Sequence, residues 1–320
     1  MNHIQEAIRQ VRVGRGHAYR ELTVYPLNGK GRLGFDYATL SHALGQGPSA
    51  FELRELPDGG SVPEIEVVNR LHVPVLIVEG QELVGARQHR TANLSVMVPP
   101  KATVRLNVSC VEAGRWAETG ARFMAAQHAQ FASGRARKVA SVSCSMRESG
   151  RADSDQAGVW RDISFKLRSL DVDSPTSAMH DLYQRHAATL DDYVYAFASL
   201  PECHGAAFAV HDRLIGLDLF GDTATFKAYK EQLLRGYAVE ALGAARHTAT
   251  LAPERNRVSF LLRDIAAGEI EAYPSAGMGE DVRIAGQRSV AGVLAVEGAI
   301  VHLGAFPRKR GEEGMRRAAG

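Results

Sequence analysis

Apolar runs of strand length recur through the first 131 residues, at 21–27, 51–56, 63–68, 72–78, 91–98 and 103–112. Each is bounded by turn residues, which reads as an antiparallel, β-rich half. Pro57-Asp58-Gly59-Gly60 supplies a hairpin turn, and Pro99-Pro100 forces another because proline cannot donate to a ladder. Thr39 is placed to cap a short helical turn closed by Gly45. The run 72–78 is nearly continuous in apolar residues, as expected of a strand covered on both faces. Within 103–112, the period of two puts Val104, Leu106, Val108 and Cys110 on one face and Arg105, Asn107 and Ser109 on the other. The runs 71–78, 91–98 and 103–112 are therefore expected in one antiparallel sheet.

The second half mixes periods. Asp153 or Asp155 can cap a helix over 156–168 with Val159, Ile163 and Leu167 on one stripe, and Ser174-Pro175 opens another. A third helix covers 190–199. A hairpin over 205–220 precedes the longest helix, 223–242, capped by Asp222. A helix at 258–267 and four closing strands to residue 306 complete the series. Strands and helices arrive in blocks, so the fold class is α+β: an antiparallel β-rich N-terminal half with a mixed helix and sheet C-terminal half. The expected organisation is a motif-bearing region at 21–131, a linker or lid at 132–152 where Ser, Gly, Arg and Lys dominate, an α+β region at 153–307, and a disordered basic tail at 308–320.

Composition adds exclusions more than assignments. With 320 residues, 45% apolar and 23% charged, the chain is ordinary for a soluble protein, and a net charge of +2 gives no reason to expect nucleic acid. No apolar run approaches the roughly 18 residues a membrane helix needs. Three widely spaced cysteines without a CxxC pair point to a reducing, cytoplasmic setting. Twelve histidines lack HxH or HExxH spacing, so no metal site is expected from local sequence.

The chemistry concentrates in VEGQELVGARQHRTANLSVMVPPKATVRLNVSCVEAGRW, residues 78–116. Charges beside such apolar strands must be paired or serve a ligand, because an unpaired buried charge costs several kcal/mol. Glu79 and Glu82 flank a glycine turn, an arrangement suited to carboxylates with divergent pKa values. Arg87 and Arg90 offer planar forks for phosphate or carboxylate, with Gln88 able to orient a polar ligand. His89 has the opposite parity and is read as surface. Glu112 at a strand end, with Arg115 folded back over Gly114, is either a structural pair or part of a site. Cys110, above an apolar stripe, is read as inert. Asp218 in an apolar strand is either a buried anchor or a site wall.

These strings resemble a prokaryotic family, the ADP-ribosylglycohydrolase and rhodanese-phosphatase associated protein domain. EGQELVGARQHR, the asparagine and VP of TANLSVMVP, and VSCVEAGRW carry the resemblance, with weaker marks in YATLSHAL, QAGVW, GLDLF and VHLGAFP. It implies a setting among enzymes that process ADP-ribose and NAD-derived compounds, and association with them, rather than a defined reaction. The family's polar marks fall on Glu82, Gln88, Arg90, Asn93, Glu112, Arg115 and Trp116, with His89 where asparagine is expected. Two functions remain open. One is an enzyme on an ADP-ribose-like or related phosphorylated nucleoside compound, with Glu112 or Glu82 as acid or base. Arg90 and Arg115 would then hold phosphate, and Gln88 and Asn93 the ribose or base. The other is a non-catalytic module binding such a ligand or a partner enzyme. In either case Gln88, Arg90, Glu112 and Arg115 are expected to line one pocket, with Glu79 or Glu82 at its rim and Trp116 as a wall. The cofactor is unknown.

Overall fold

The computed structural model describes residues 2–29, 33–56, 63–115, 117, 120, 122–244 and 255–308. Strands and helices are numbered along the chain. A nine-stranded sheet runs β1 (Arg12–Val13), β3 (Leu22–Asn28), β13 (Gly205–Val210), β14 (Arg213–Phe220), β18 (Ala299–Pro307), β17 (Ser289–Val296), β16 (Glu280–Ala285) and β15 (Glu269–Pro274). β2 (His17–Tyr19) also pairs with β3. All its pairings are antiparallel. Both faces are covered, which explains why β13 is buried at every position. Ala206, Phe208 and Val210 point into one core with helices α3 (Ala132–Ser149) and α7 (Thr223–Ala244), while Ala207 and Ala209 point into another with α1 (Asn2–Arg9) and α8 (Arg255–Ala266). α4 (Gln156–Ser169), α5 (Met179–Arg185) and α6 (Ala187–Ala196) pack into the first core.

A third core lies between two smaller sheets. One has six strands in the order β12 (Phe123–Ala129), β8 (Gln81–Gly85), β9 (Arg90–Ala92), β11 (Ala102–Cys110), β6 (Glu64–Asn69) and β5 (Phe51–Arg54). The other has β10 (Val96–Val98), β7 (Val75–Ile77) and β4 (Ala38–Thr39), with β4 parallel to β7. Helix α2 (Leu40–Gly45), capped by Thr39, adds Leu40 and Ala43.

The α+β class and the strand-rich N-terminal half agree with the sequence reading. Three expectations are corrected. The run 91–98 is not one strand: β9 pairs with β11, whereas β10 pairs with β7 in the other sheet, so the motif strands do not share a single sheet. Asn93 gives its backbone N–H to the Asn107 carbonyl of β11, while its side-chain amide donates to the Ala152 carbonyl and its side-chain oxygen accepts from the Ser109 hydroxyl, and the chain bends there. Residues 132–149 form helix α3 rather than a linker. The basic residues that disguised it face inward: Arg135 and Lys138 are each 1% exposed, and Val139, Val142 and Met146 are buried beside them. Gly150, at φ 71°, closes the helix in the left-handed conformation. Finally, β3 from the first half pairs with β13 from the second, so the two halves are not separate units. The Pro57–Gly60 turn and residues 309–320 of the expected tail lie outside the described residues, although β5 and β6 on either side of that turn pair antiparallel as expected. Among the described residues no helix is long and apolar enough to cross a membrane.

Candidate functional site

Two polar clusters sit on either side of the Glu79 to Glu82 turn. Gly80, at φ 86°, makes the turn, and a Cβ there would lie 2.7 Å from the Arg135 Nε. The turn sends Glu79 and Glu82 into different environments.

Glu82 is fully buried on β8, opposite Thr91 of β9. On its other side, β12 pairs with β8 through a register shift between Ala125 and Ala129. Such an irregularity re-aims a strand side chain, and His128, within it, directs Nε2 onto Glu82 Oε2 in a short hydrogen bond. Tyr183 stacks on the His128 ring with centroids 3.6 Å apart, and its hydroxyl donates to the Ala129 carbonyl. Tyr183 belongs to α5, whose start is pinned to the end of β11 by the Met179 N–H to the Val111 carbonyl. One turn earlier on α5, His180 Nδ1 lies 3.8 Å from Glu82 Oε2. His89 completes the group, with Nδ1 3.7 Å from Glu82 Oε1 and Nε2 3.8 Å from Glu112 Oε2. The cluster meets solvent through His89 and His180, whose side chains are 17% and 24% exposed.

Burial alone would raise the Glu82 carboxyl, but His128 and His180 beside it bring it down to about 2. Glu82 is therefore ionised. Burial lowers His128 in spite of Glu82. A neutral imidazole donating from Nε2 satisfies both directions. His89 is lowered by burial too, whereas the Glu82 carboxylate beside it raises the more open His180. Glu82 Oε1, His89 Nδ1 and His180 Nδ1 are buried without hydrogen-bond partners. Each such atom costs about 1 to 3 kcal/mol, and one carboxylate oxygen with two imidazole nitrogens beside it, all left so, is the arrangement of a site rather than of a core. Glu82, His128 and His180 each present a donor atom within 4.8 Å of the others.

Glu112 is spent on architecture. Oε1 accepts from Arg115 Nε and the Thr176 hydroxyl, and Oε2 from Arg115 and the His89 N–H. Burial would raise its pKa, but Arg115 and the His89 amide hold it below the ordinary carboxylate range. Gly114 brings the Thr176 backbone so close that a Cβ would sit 2.9 Å from the Thr176 Cα.

The expected pocket is therefore corrected in several places. Glu82 and Glu112 do converge, bridged by His89, which is an inner residue and not a surface one. Arg115 also donates to the Ala86 carbonyl, and its fork is engaged by Glu112 rather than held for phosphate. Arg90 is fully buried, donating to Gln88 and 3.7 Å from Glu55, so it forms no phosphate clamp. Gln88 in turn donates to the Glu112 carbonyl and accepts from the Cys110 thiol. Asn93 is buried in backbone and Ser109 bonds. Trp116 lies outside the described residues.

Glu79 belongs to the second cluster. It accepts from Arg135 Nε, and the same guanidinium bridges to both oxygens of Asp218 at 2.7 and 3.0 Å. Tyr237 and His302 also bond to Asp218, and Ser95 links His302 to the Glu79 N–H. Lys138 sits 3.1 Å from Glu79, its pKa drawn by burial down to about 8 in spite of that partner. The adjoining cavity, about 10 Å³, has room for a single water. Asp218 is thus a buried anchor rather than a site wall.

Sequence reasoning did not find His128, His180, Arg135 or Lys138. The histidines carry no local spacing because they come from a strand and a helix some fifty residues apart. Arg135 and Lys138 did have a signal, their i, i+3 placement among Phe131, Val139 and Val142.

Comparison with curated proteins and with solved structures finds no match. A family profile matches residues 10–306, and with nearly the whole described fold inside that span, the chain belongs to the ARG and Rhodanese-Phosphatase-superfamily-associated Protein (ARPP-1) domain family.

Proposed function

We propose that the chain is a hydrolase whose active centre is Glu82 with His128, His180 and His89. The observation that supports this reading is the convergence of one ionised carboxylate and three imidazoles, from four separate segments, with unpartnered atoms facing each other near solvent. Titratable groups with pKa values pushed in opposite directions are the raw material of acid and base catalysis. Glu82, kept ionised, serves as base or stabilises developing positive charge. His180, the most exposed of the imidazoles and raised by Glu82, is the group placed to donate a proton. Glu112 and Arg115 act as positioning residues that fix the His89 loop and the α5 entry.

The substrate class belongs to the same proposal: an ADP-ribose or NAD-derived compound, or a related phosphorylated nucleoside. It follows from the family resemblance. Attack at an anomeric carbon gains from a nearby carboxylate because the transition state resembles an oxocarbenium ion. The test is turnover of ADP-ribose, NAD and nucleotides by the wild-type chain and by Glu82→Gln. We expect hydrolysis that falls by at least about 100-fold in the variant, the scale of acid and base groups. Saturable binding without turnover would instead make the chain a ligand-binding module of an ADP-ribose-processing system.

A further inference from the structure

We infer that Glu82, His128, His180 and His89 form a binding site for one divalent transition-metal ion of the zinc class. This rests on the hydrolase reading of the same residues but replaces the free base and acid roles of Glu82 and His180 with ligation, and its geometry holds whether or not the chain is an enzyme. Three imidazoles and one carboxylate are a donor set that suits such ions and not the harder magnesium or calcium. Four ligands about 2.1 Å from a tetrahedral ion stand about 3.4 Å from one another. Glu82, His128 and His180 already present ligand atoms within 4.8 Å of one another, with Glu82 Oε2 to His180 Nδ1 at 3.8 Å, while His89, its Nδ1 3.7 Å from Glu82 Oε1, stands outside that group and closes in to complete the set. The atoms lacking partners are the ones an ion would use: Glu82 Oε1 on a fully buried side chain, His89 Nδ1 and His180 Nδ1. The contact that does not fit is His128 to Glu82, which is too short. On uptake the ion takes the place of the bridging Nε2 proton, and the imidazole presents its other tautomer.

The surroundings resemble an outer shell as well. His89 turns its second nitrogen toward Glu112, 3.8 Å away, and the Glu112 carboxylate is itself held by Arg115 and Thr176. A carboxylate behind a ligating imidazole fixes its orientation. Tyr183 fixes the His128 ring by stacking.

The test is titration of the chelator-treated full chain with Zn²⁺ and with Co²⁺, read by calorimetry and by the visible absorption of tetrahedral Co²⁺. One ion per chain is expected. Affinity should fall by at least about 100-fold in Glu82→Gln and His180→Ala, beyond the 10 to 100-fold that outer partners carry, and stay unchanged in His42→Ala on the exposed face of α2. His180 is half-buried at a helix start, so its variant should fold, which the melting curve of the metal-free forms verifies. Lack of saturable uptake by the wild type, or uptake equal in both variants, overturns the site. Uptake without turnover keeps the metal site and removes the hydrolase. Turnover that survives chelation does the reverse.

Discussion

At the residue scale, the sharpest contrast is between side chains committed to the fold and side chains left incomplete. Arg115 and Glu112 are mostly buried and bound on both sides. Removing one member leaves the other charge uncompensated, so Arg115→Ala and Glu112→Gln should each lose about 3 to 5 kcal/mol in urea unfolding. Stability near that of the wild type in both would return these residues to the role of a clamp awaiting a ligand. Glu82 and Arg115 looked alike as charges beside an apolar strand, because sequence shows the charge and not its partner. Cys110 was better read: parity placed it inward, it is fully buried, and burial raises its pKa despite the Glu112 carbonyl and Arg90 nearby. Its labelling by a soluble thiol reagent should be slow in the native chain and fast in urea, as followed by mass spectrometry.

At the element scale, helix α3 decides the interior. Its Arg135 fork reaches Glu79 and Asp218, which belong to different sheets or the turns between them. Lysine lacks the fork, so Arg135→Lys should fail to restore what Arg135→Ala loses, at least about 3 kcal/mol by denaturant titration. Near-complete rescue by lysine would mean that charge alone suffices. This helix is also where the sequence misled, since inward-facing basic residues erase the amphipathic signal that marked α4 through Val159, Ile163 and Leu167. Strands were more legible. The continuous apolar run 72–78 contains the central strand β7 of the three-stranded sheet, and in the large sheet the Glu297-Gly298 turn between β17 and β18 has both φ values positive, at 52° and 77°, as its glycine allows. The split of 91–98 between two sheets was not legible, because Leu94 to Val98 continues the apolar run and the bend depends on bonds from Asn93 to residues far along the chain.

At the scale of the whole molecule, stability depends on buried carboxylates that must stay charged. Burial would raise Asp218 and Glu79, but Arg135, with His302 at Asp218 and Lys138 at Glu79, holds both below their ordinary values. The unfolded chain therefore takes up protons first as pH falls, so this stability is present above the ordinary carboxylate range and is lost below about pH 4. Melting temperatures measured from pH ~7 to pH ~3 should show the drop, and Asp218→Asn should flatten it. A wild-type profile flat across that range would contradict the network. The pairing of β3 with β13 has a different consequence, one for synthesis. β3 pairs with β1 and β2 as soon as it is made, but along its other edge Leu22 finds its register partner in Val210. At roughly 5 to 20 residues per second, the ribosome leaves that edge of β3 unmated for roughly 10 to 40 s. During that interval its apolar face is exposed to other nascent chains. The sandwich of the two smaller sheets can close before β13 is made, but the large sheet cannot close until β13–β18 follow, which makes the waiting edge of β3 a candidate for chaperone capture.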